Sequence, residues 1–166
     1  NIPMFLDVAK KVLSKGGDIV FIYIGEGVRL EEYRRLVAQN NLMDKILFIG
    51  RRNDVLSILK SCDIFILTSS WEGMPNVLIE ALFSRLPVIC TKLDGAKEII
   101  SHEVNGLLVD LNDSEKMVFY INKLINDEAL QHKMGDEGYK LAKKLFDSKT
   151  MVYAYNDLIK ELVKIS

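Results

Sequence analysis

Two glutamates, Glu72 and Glu80, flank a turn that opens a helix. Gly73 allows a tight backbone that other groups can approach closely. Pro75 suits the first position of a helix, where its missing N–H is no loss. The next three N–H groups should therefore be unsatisfied and point out of the helix start. They belong to Asn76, Val77 and Leu78. Such groups predict a site for an anion such as a diphosphate.

Glu80 interrupts a helix that is otherwise apolar. Because burying a carboxylate without a partner is costly, this side chain should have one. Glu80 lies four residues after Asn76, on the same helix face, and leans back toward the helix start. A diphosphate would repel a carboxylate, so neutral hydroxyls such as those of a ribose are one predicted partner. A neighbouring backbone N–H is the other, and the helix alone does not decide between them.

Apolar runs that predict strands alternate with helical patterns over the first 110 residues. The runs are continuously apolar, which is typical of parallel strands covered on both faces. They cover residues 19–24, 46–49, 64–67, 87–90 and 107–109. The helical patterns cover residues 4–14, 30–40, 55–60 and 76–84. This alternation predicts an α/β fold, a three-layer Rossmann-like parallel sheet with helices on both faces.

Only helical patterns follow, over residues 114–125, 128–145 and 150–163. They predict a helical tail over 111–166, attached to an α/β core over 1–110. No repeat or linker divides the sequence, so we expect residues 1–166 to form a single domain. The chain begins at Asn1 rather than Met, which we interpret as a piece of a longer protein.

Four loops should meet where the strands end. In open α/β sheets, ligands bind beyond the carboxyl ends of the strands. The loops that follow the first four strands cover residues 25–28, 50–54, 68–75 and 91–96. They contain the chemically unusual residues of the chain, so we expect the functional site at this edge.

Composition excludes several classes of function. The net charge of -1 gives no global attraction to nucleic acid or to an anionic membrane. The longest apolar run is too short to cross a bilayer. The two cysteines, Cys62 and Cys90, lie beside apolar runs and are expected to be buried thiols in a reducing cytoplasm.

The ordered motifs resemble a known family. Residues 69–81 read Ser-x-x-Glu-Gly-x-Pro-Asn-Val-x-x-Glu-Ala, which resembles the signature of the family-four retaining glycosyltransferases, enzymes with the GT-B fold. Further segments resemble the carboxy-terminal domain of that family in the same order. They cover residues 24–27, 48–51, 54–55, 62–66, 86–89, 95–99 and 105–109. On this ordered set the chain is identified as a member, closely over residues 2–110 and loosely over the tail.

The resemblance implies roles around the donor. Glu72 matches the catalytic-site glutamate beside the donor sugar, and Glu80 matches the glutamate that binds ribose hydroxyls. In that family one loop holds the sugar hydroxyls, and the helix start that follows it receives the diphosphate. Both match consecutive residues of this chain. These are Gly73, Met74, Pro75, Asn76, Val77 and Leu78.

The resemblance also implies residues at the rim of the site. Gly50 and Arg51, together with Arg52, match the loop beside the nucleobase. Gly25 and Glu98 match positions just behind the ligand. For Glu98 a structural hydrogen bond is an equally good interpretation.

The implied activity is transfer of a sugar from a UDP- or GDP-sugar to an acceptor hydroxyl, with retention and without metal or cofactor. The implied partners are an acceptor glycan or glycolipid and an acceptor-binding amino-terminal domain absent from this chain. The family's usual Arg and Lys would precede Asn1, so this fragment alone is expected to be inactive. Surface-polysaccharide synthesis in the cytoplasm is a family-level expectation.

A basic stretch of the tail contains Lys140, Lys143, Lys144 and Lys149. We interpret it as a solvated helix face, and it is also compatible with peripheral attachment to the inner membrane face.

Other functions fit less well. A dinucleotide-binding oxidoreductase could use Gly25 and Gly27, but Leu30 replaces the third glycine of that fingerprint. A sugar-nucleotide epimerase fits the Glu-Gly-x-Pro motif less well than a transferase. A non-catalytic nucleotide-binding or interaction domain of the same fold stays as the alternative.

Overall fold

The structure is a computed structural model and describes residues 1–146. Over this range helices and short strands alternate, and two helices follow the last strand, as the sequence predicts. The strands are β1 (Phe21–Tyr23), β2 (Ile46–Phe48), β3 (Phe65–Leu67), β4 (Val88–Thr91) and β5 (Leu107–Val109). The helices are α1 (Ile2–Leu13), α2 (Leu30–Gln39), α3 (Val55–Leu59), α4 (Asn76–Phe83), α5 (Asp94–Ile99), α6 (Ser114–Ile125) and α7 (Glu128–Phe146).

All paired strands are parallel, but their hydrogen bonds fall into two groups. β1 pairs with β2, with Phe21 opposite Ile46. β3, β4 and β5 form a second group in that order. The predicted parallel arrangement is confirmed, and the described residues divide it into a two-stranded and a three-stranded sheet.

Helices cover both faces, as the alternation along β4 makes clear. Ile89 joins a core formed with α1, α2 and α6. Its neighbours Val88 and Cys90 join a second core formed with α4 and α5. Successive side chains of a strand point to opposite faces, so the two cores lie on opposite sides of the three-stranded sheet.

Both cysteines are free thiols, as predicted, with Cys90 buried and Cys62 half-buried. Burial raises the pKa of the Cys90 thiol to about 12, because the apolar surroundings disfavour the thiolate.

One predicted loop is wrong. Residues 91–96 were expected to form a loop, but β4 ends at Thr91 and α5 begins at Asp94. With six residues, α5 is too short to show a helical period in the sequence; it buries Gly95, Ala96 and Ile99. The predicted helix over 150–163 and Lys149 lie outside the described residues. Within residues 1–146, no helix combines the length and apolar character needed to cross a membrane.

Candidate functional site

The loop between β3 and α4, residues 68–75, is held by the neighbouring β4–α5 segment. The buried Thr91 hydroxyl donates to the Ser69 carbonyl oxygen at 2.6 Å. A Cβ built on Gly95 would lie 1.8 Å from the carbonyl oxygen of Gly73 and 3.1 Å from Pro75 Cδ. Only glycine allows α5 to approach the loop this closely, so the loop position is fixed by contact with α5.

Glu72 is anchored within this loop. The Ser69 hydroxyl donates to Glu72 Oε1 at 2.8 Å. The Glu72 side chain is half-buried, whereas Gly73 and Met74 beside it are exposed. The hydrogen bond orients the carboxylate at the open carboxyl edge of β3.

The start of α4 differs from the prediction in two details. Pro75 is the N-cap in an extended conformation (φ -77, ψ 91), and the helix itself begins at Asn76. Because this conformation turns the Pro75 carbonyl toward the helix, it accepts the Leu78 N–H at 2.9 Å. The prediction that the Leu78 N–H is free is therefore wrong, and Leu78 is fully buried.

Two N–H groups remain open at this helix start. Asn76 and Val77 are exposed, and within residues 1–146 no acceptor is bonded to either N–H. Both carry the positive end of the α4 dipole. The helix start therefore presents two adjacent donors to solvent, which suits an anion.

Glu80 lies one turn into α4 and is half-buried. Its backbone carbonyl accepts from the Ser84 N–H and hydroxyl, at 3.0 and 2.9 Å. Over the described part of the chain its carboxylate makes no hydrogen bond. The predicted alternative, a bond from a neighbouring backbone N–H, is thus not present.

The loops after β1 and β2 meet each other. The Gly25 N–H donates to the Gly50 carbonyl at 3.0 Å, and Gly50 has φ 72, a conformation that favours glycine. Arg52 makes two hydrogen bonds to Asp54, at 2.8 and 2.7 Å, and they lower the pKa of the Asp54 carboxyl. Arg51 is exposed and has no such partner within residues 1–146. Of the two predicted arginines, Arg52 is held by an ion pair with Asp54, and Arg51 is not.

Glu98 lies on the exposed face of α5. Its carboxylate makes no hydrogen bond to residues 1–146. The structural hydrogen bond considered for Glu98 is therefore absent from this range.

Three supporting residues were missed by sequence reasoning. Ser69 was part of the motif but received no role, and Thr91 and Gly95 received none. Ser69 acts through a local hydrogen bond to Glu72, whereas Thr91 and Gly95 act through contacts with a distant chain segment. Their signal in the sequence is weak: a small or short polar residue in, or next to, a loop that follows an apolar run.

The chain resembles known sugar transferases. A family model described as Glycosyl transferases group 1 matches residues 1–141. UDP-Gal:alpha-D-GlcNAc-diphosphoundecaprenol alpha-1,3-galactosyltransferase from Escherichia coli is 32% identical over 129 residues, which cover 76% of this chain and 33% of the relative. The chain spans between 22% and 40% of the length of the curated relatives it matches.

Solved structures share the fold. The C-terminal domain of a glycosyl transferase group 1 family protein (LpcC) from Francisella tularensis superposes with a TM-score of 0.79 at 31% identity, covering 87% of this chain and 78% of that one. HepE from Anabaena, solved in complex with UDP-glucose, gives a TM-score of 0.80 at 24% identity over 96% of this chain and 45% of its own.

Proposed function

The chain belongs to the glycosyl transferases group 1, and we propose that its open α4 start binds the diphosphate of a nucleotide-sugar donor. Its fold is that of the carboxy-terminal domain of the family's GT-B enzymes. The full-length protein then transfers the sugar to an acceptor hydroxyl with retention. The donor is a UDP- or GDP-sugar; a UDP-sugar is the one to test first, because the name of the E. coli relative specifies UDP-Gal.

One observation carries the proposal: two open N–H groups begin α4, and one turn along the helix the Glu80 carboxylate has no hydrogen-bond partner within residues 1–146. The N–H groups of Asn76 and Val77 attract the negative diphosphate. The Glu80 carboxylate, one turn along, offers two oxygens to ribose hydroxyls. A nucleoside diphosphate carries both groups within the length of one helical turn, so one molecule satisfies both features.

The same geometry supports catalysis of sugar transfer. As the glycosidic bond to the donor breaks, negative charge grows on the departing diphosphate and the sugar takes on oxocarbenium character. Fixed N–H dipoles stabilise that charge, and losing one such donor typically costs ~2.7–4 kcal/mol in the barrier. Glu72, held by Ser69, lies beside the donor sugar. Because backbone dipoles stabilise the leaving group, we propose that no metal is required; activity unchanged by EDTA supports this, and loss restored by Mg²⁺ opposes it.

Titration calorimetry tests the role of Glu80. A hydrogen bond to a charged group contributes ~1.5–3 kcal/mol, which is roughly 10- to 100-fold in affinity. Glu80→Gln should weaken UDP binding by about this factor. Glu103→Gln, the matched control in the exposed turn before β5, should leave the Kd unchanged.

A UDP analogue that lacks both ribose hydroxyls completes the test. If Glu80 binds these hydroxyls, the analogue should bind the unmodified chain and Glu80→Gln equally weakly, so the two losses are not additive. Additive losses would show that Glu80 acts elsewhere and would remove the ribose assignment.

The acceptor and cellular setting are further parts of the proposal. We propose a glycan or glycolipid acceptor in surface-polysaccharide synthesis, with the full-length enzyme at the inner membrane face. Residues 1–166 alone should bind nucleotide without transferring sugar. Transfer by this chain would refute that expectation, whereas a full-length protein that binds UDP-sugar but neither transfers nor hydrolyses it would favour the non-catalytic alternative.

A further inference from the structure

Two consecutive hydrogen bonds connect the buried end of β4 to the carboxylate of Glu72. Thr91, the last residue of β4, donates through its hydroxyl to the Ser69 carbonyl oxygen at 2.6 Å. Ser69, two residues after β3, donates through its own hydroxyl to Glu72 Oε1 at 2.8 Å. One loop residue thus links a side chain of the sheet to the carboxylate beside the proposed position of the donor sugar.

The Thr91 end of this connection is rigid. β4 is paired with a strand on each side, and Thr91 lies opposite Val109 of β5. The Thr91 side chain is fully buried, and as a β-branched residue it has little freedom about its Cα–Cβ bond. The position of the Ser69 carbonyl is therefore set by the sheet.

Ser69 transmits this position to its own hydroxyl. Its carbonyl carbon and its Cβ are both bonded to the same Cα, so a carbonyl held in place limits the directions in which the hydroxyl can project. The preceding residue, Thr68, is buried and donates to the Asn1 carbonyl at 3.1 Å. The backbone is thus held both before Ser69 and at its carbonyl.

The bond from Ser69 occupies one oxygen of the Glu72 carboxylate. Within residues 1–146 the other oxygen, Oε2, has no hydrogen-bond partner, although the side chain is half-buried. An ionised carboxylate accepts hydrogen bonds and donates none, so Oε2 suits a group that carries a hydroxyl. A sugar presents several hydroxyls around its ring.

A carboxylate that is fixed before the ligand arrives favours binding. A glutamate side chain has several rotatable bonds, and immobilising it costs free energy. While Ser69 holds Glu72, a sugar that binds to Oε2 does not have to order this side chain. Without that bond the cost falls on binding of the sugar, and not on binding of the diphosphate at the start of α4.

We propose that Thr91 and Ser69 are positioning residues for recognition of the donor sugar. Thr91 fixes Ser69, Ser69 holds Oε1 of Glu72, and Oε2 accepts a hydroxyl of the sugar. Neither positioning residue touches the ligand. This inference rests on the proposed function, because it requires a nucleotide at α4 with its sugar beside Glu72. It adds that a buried residue of β4, 22 positions along the chain from Ser69, controls how tightly the sugar is held.

Titration calorimetry of the Asn1–Ser166 chain with UDP, UDP-galactose and UDP-glucose tests the proposal. The Kd of UDP reports the contacts to the diphosphate and ribose, whereas the Kd of a UDP-sugar also reports the contacts to the sugar. Ser69→Ala should weaken binding of at least one UDP-sugar roughly 2- to 10-fold, as expected when one long side chain must be ordered on binding. The Kd of UDP should stay unchanged.

Further variants separate positioning from folding. Thr91→Val replaces the hydroxyl by a methyl group of similar size and should weaken the same UDP-sugar. Because both residues act through Glu72, the loss in the Ser69→Ala/Thr91→Val double variant should be smaller than the product of the single losses. Ser69→Thr keeps a hydroxyl and should restore most of the affinity lost in Ser69→Ala.

Ser61→Ala is the matched control. The Ser61 hydroxyl, in the turn between α3 and β3, bonds to the Ser57 carbonyl at 3.3 Å and is exposed. Its removal should change the Kd of neither UDP nor the UDP-sugars. If Thr91→Val fails to fold, the comparison of Ser69→Ala, Ser69→Thr and Ser61→Ala still decides the question.

Failure of this inference can be distinguished from failure of the proposed function. If the unmodified chain binds neither UDP nor a UDP-sugar, the donor site itself is refuted. If it binds UDP but no UDP-sugar, or if Ser69→Ala leaves the Kd of both UDP-sugars unchanged, only the positioning role is refuted. If Ser69→Ala weakens UDP and the UDP-sugars by the same factor, the two bonds hold the loop as a whole, which also overturns the proposal.

Discussion

Gly95→Ala should move the loop that carries the proposed donor site. The new Cβ would lie 1.8 Å from the Gly73 carbonyl oxygen and 2.9 Å from the Gly73 carbonyl carbon. Real Cβ atoms essentially never approach within 3.0 Å of such atoms, so loop and α5 must separate by about 1 Å or more. The loop leads into Pro75, the N-cap of α4. Its displacement therefore reaches both Glu72 and the open helix start, and shifts of this size can cost ~100-fold in function.

The variant should lose both stability and affinity. Overpacking of this kind costs ~1–3 kcal/mol of unfolding free energy. Misaligning one charge-assisted hydrogen bond to the diphosphate should weaken UDP binding roughly 10- to 100-fold. Urea unfolding and titration calorimetry measure the two effects on the same samples.

Gly27→Ala is the matched control for Gly95→Ala. A Cβ on Gly27 would meet no atom within 4 Å, and Gly27 does not have a positive φ. Its unfolding free energy should equal that of the unmodified chain. If Gly95→Ala left the Kd unchanged, the loop would not be positioned by α5, and the dependence of the site on this contact would be refuted.

Three further predictions concern the described residues. Thr91→Val leaves the Ser69 carbonyl without its 2.6 Å bond and should lower the unfolding free energy by ~1–3 kcal/mol in urea titrations; no change would mean that water replaces the hydroxyl. Gly135→Ala places a Cβ 2.0 Å from the Arg85 carbonyl oxygen, so calorimetry should show a lower Tm despite alanine's higher helix propensity. An unchanged Tm would show that α7 shifts freely against the turn that follows α4. Cys90→Ala should change the pH dependence of unfolding, because burial raises the pKa of the Cys90 thiol to about 12 from 9.0.

Proton linkage gives the direction in which the Cys90 thiol changes the unfolding free energy with pH. Below pH 9 the thiol is protonated in both states, so it contributes no pH dependence. Between pH 9 and 12 the unfolded chain releases the proton and the folded chain keeps it, so stability falls as pH rises. The unmodified chain should therefore lose ~1.4 kcal/mol more than Cys90→Ala between pH 8 and pH 10. If the unfolding free energies of the two chains changed equally with pH, the buried Cys90 thiol would not be contributing to the pH dependence.

Local patterns predicted most of the elements. The helical spacing of apolar residues predicted α6 with its observed bounds, Ser114–Ile125, because five buried residues recur on one face of the helix. Continuous apolar runs located all five strands with small errors at their ends. The six-residue α5 was missed, since a helix of this length completes fewer than two turns.

The partners of backbone groups were harder to predict. The bond from Leu78 to Pro75 depends on the backbone angles of the N-cap, which the residue types do not determine. The importance of Gly95 comes from contact with a loop about twenty residues away in the chain. The division into two sheets depends on which strands are neighbours, and apolar runs carry no information on pairing.

The most direct test of diphosphate binding at α4 is an NMR titration of the 166-residue chain with UDP and with uridine. The amide proton signals of Asn76 and Val77 should shift strongly with UDP and little with uridine, because the phosphates accept hydrogen bonds from these two groups. The Leu78 amide, already bonded to Pro75, should shift less. Equal shifts with both ligands, or no shift at Asn76 and Val77 when UDP binds, would contradict diphosphate binding at this helix start.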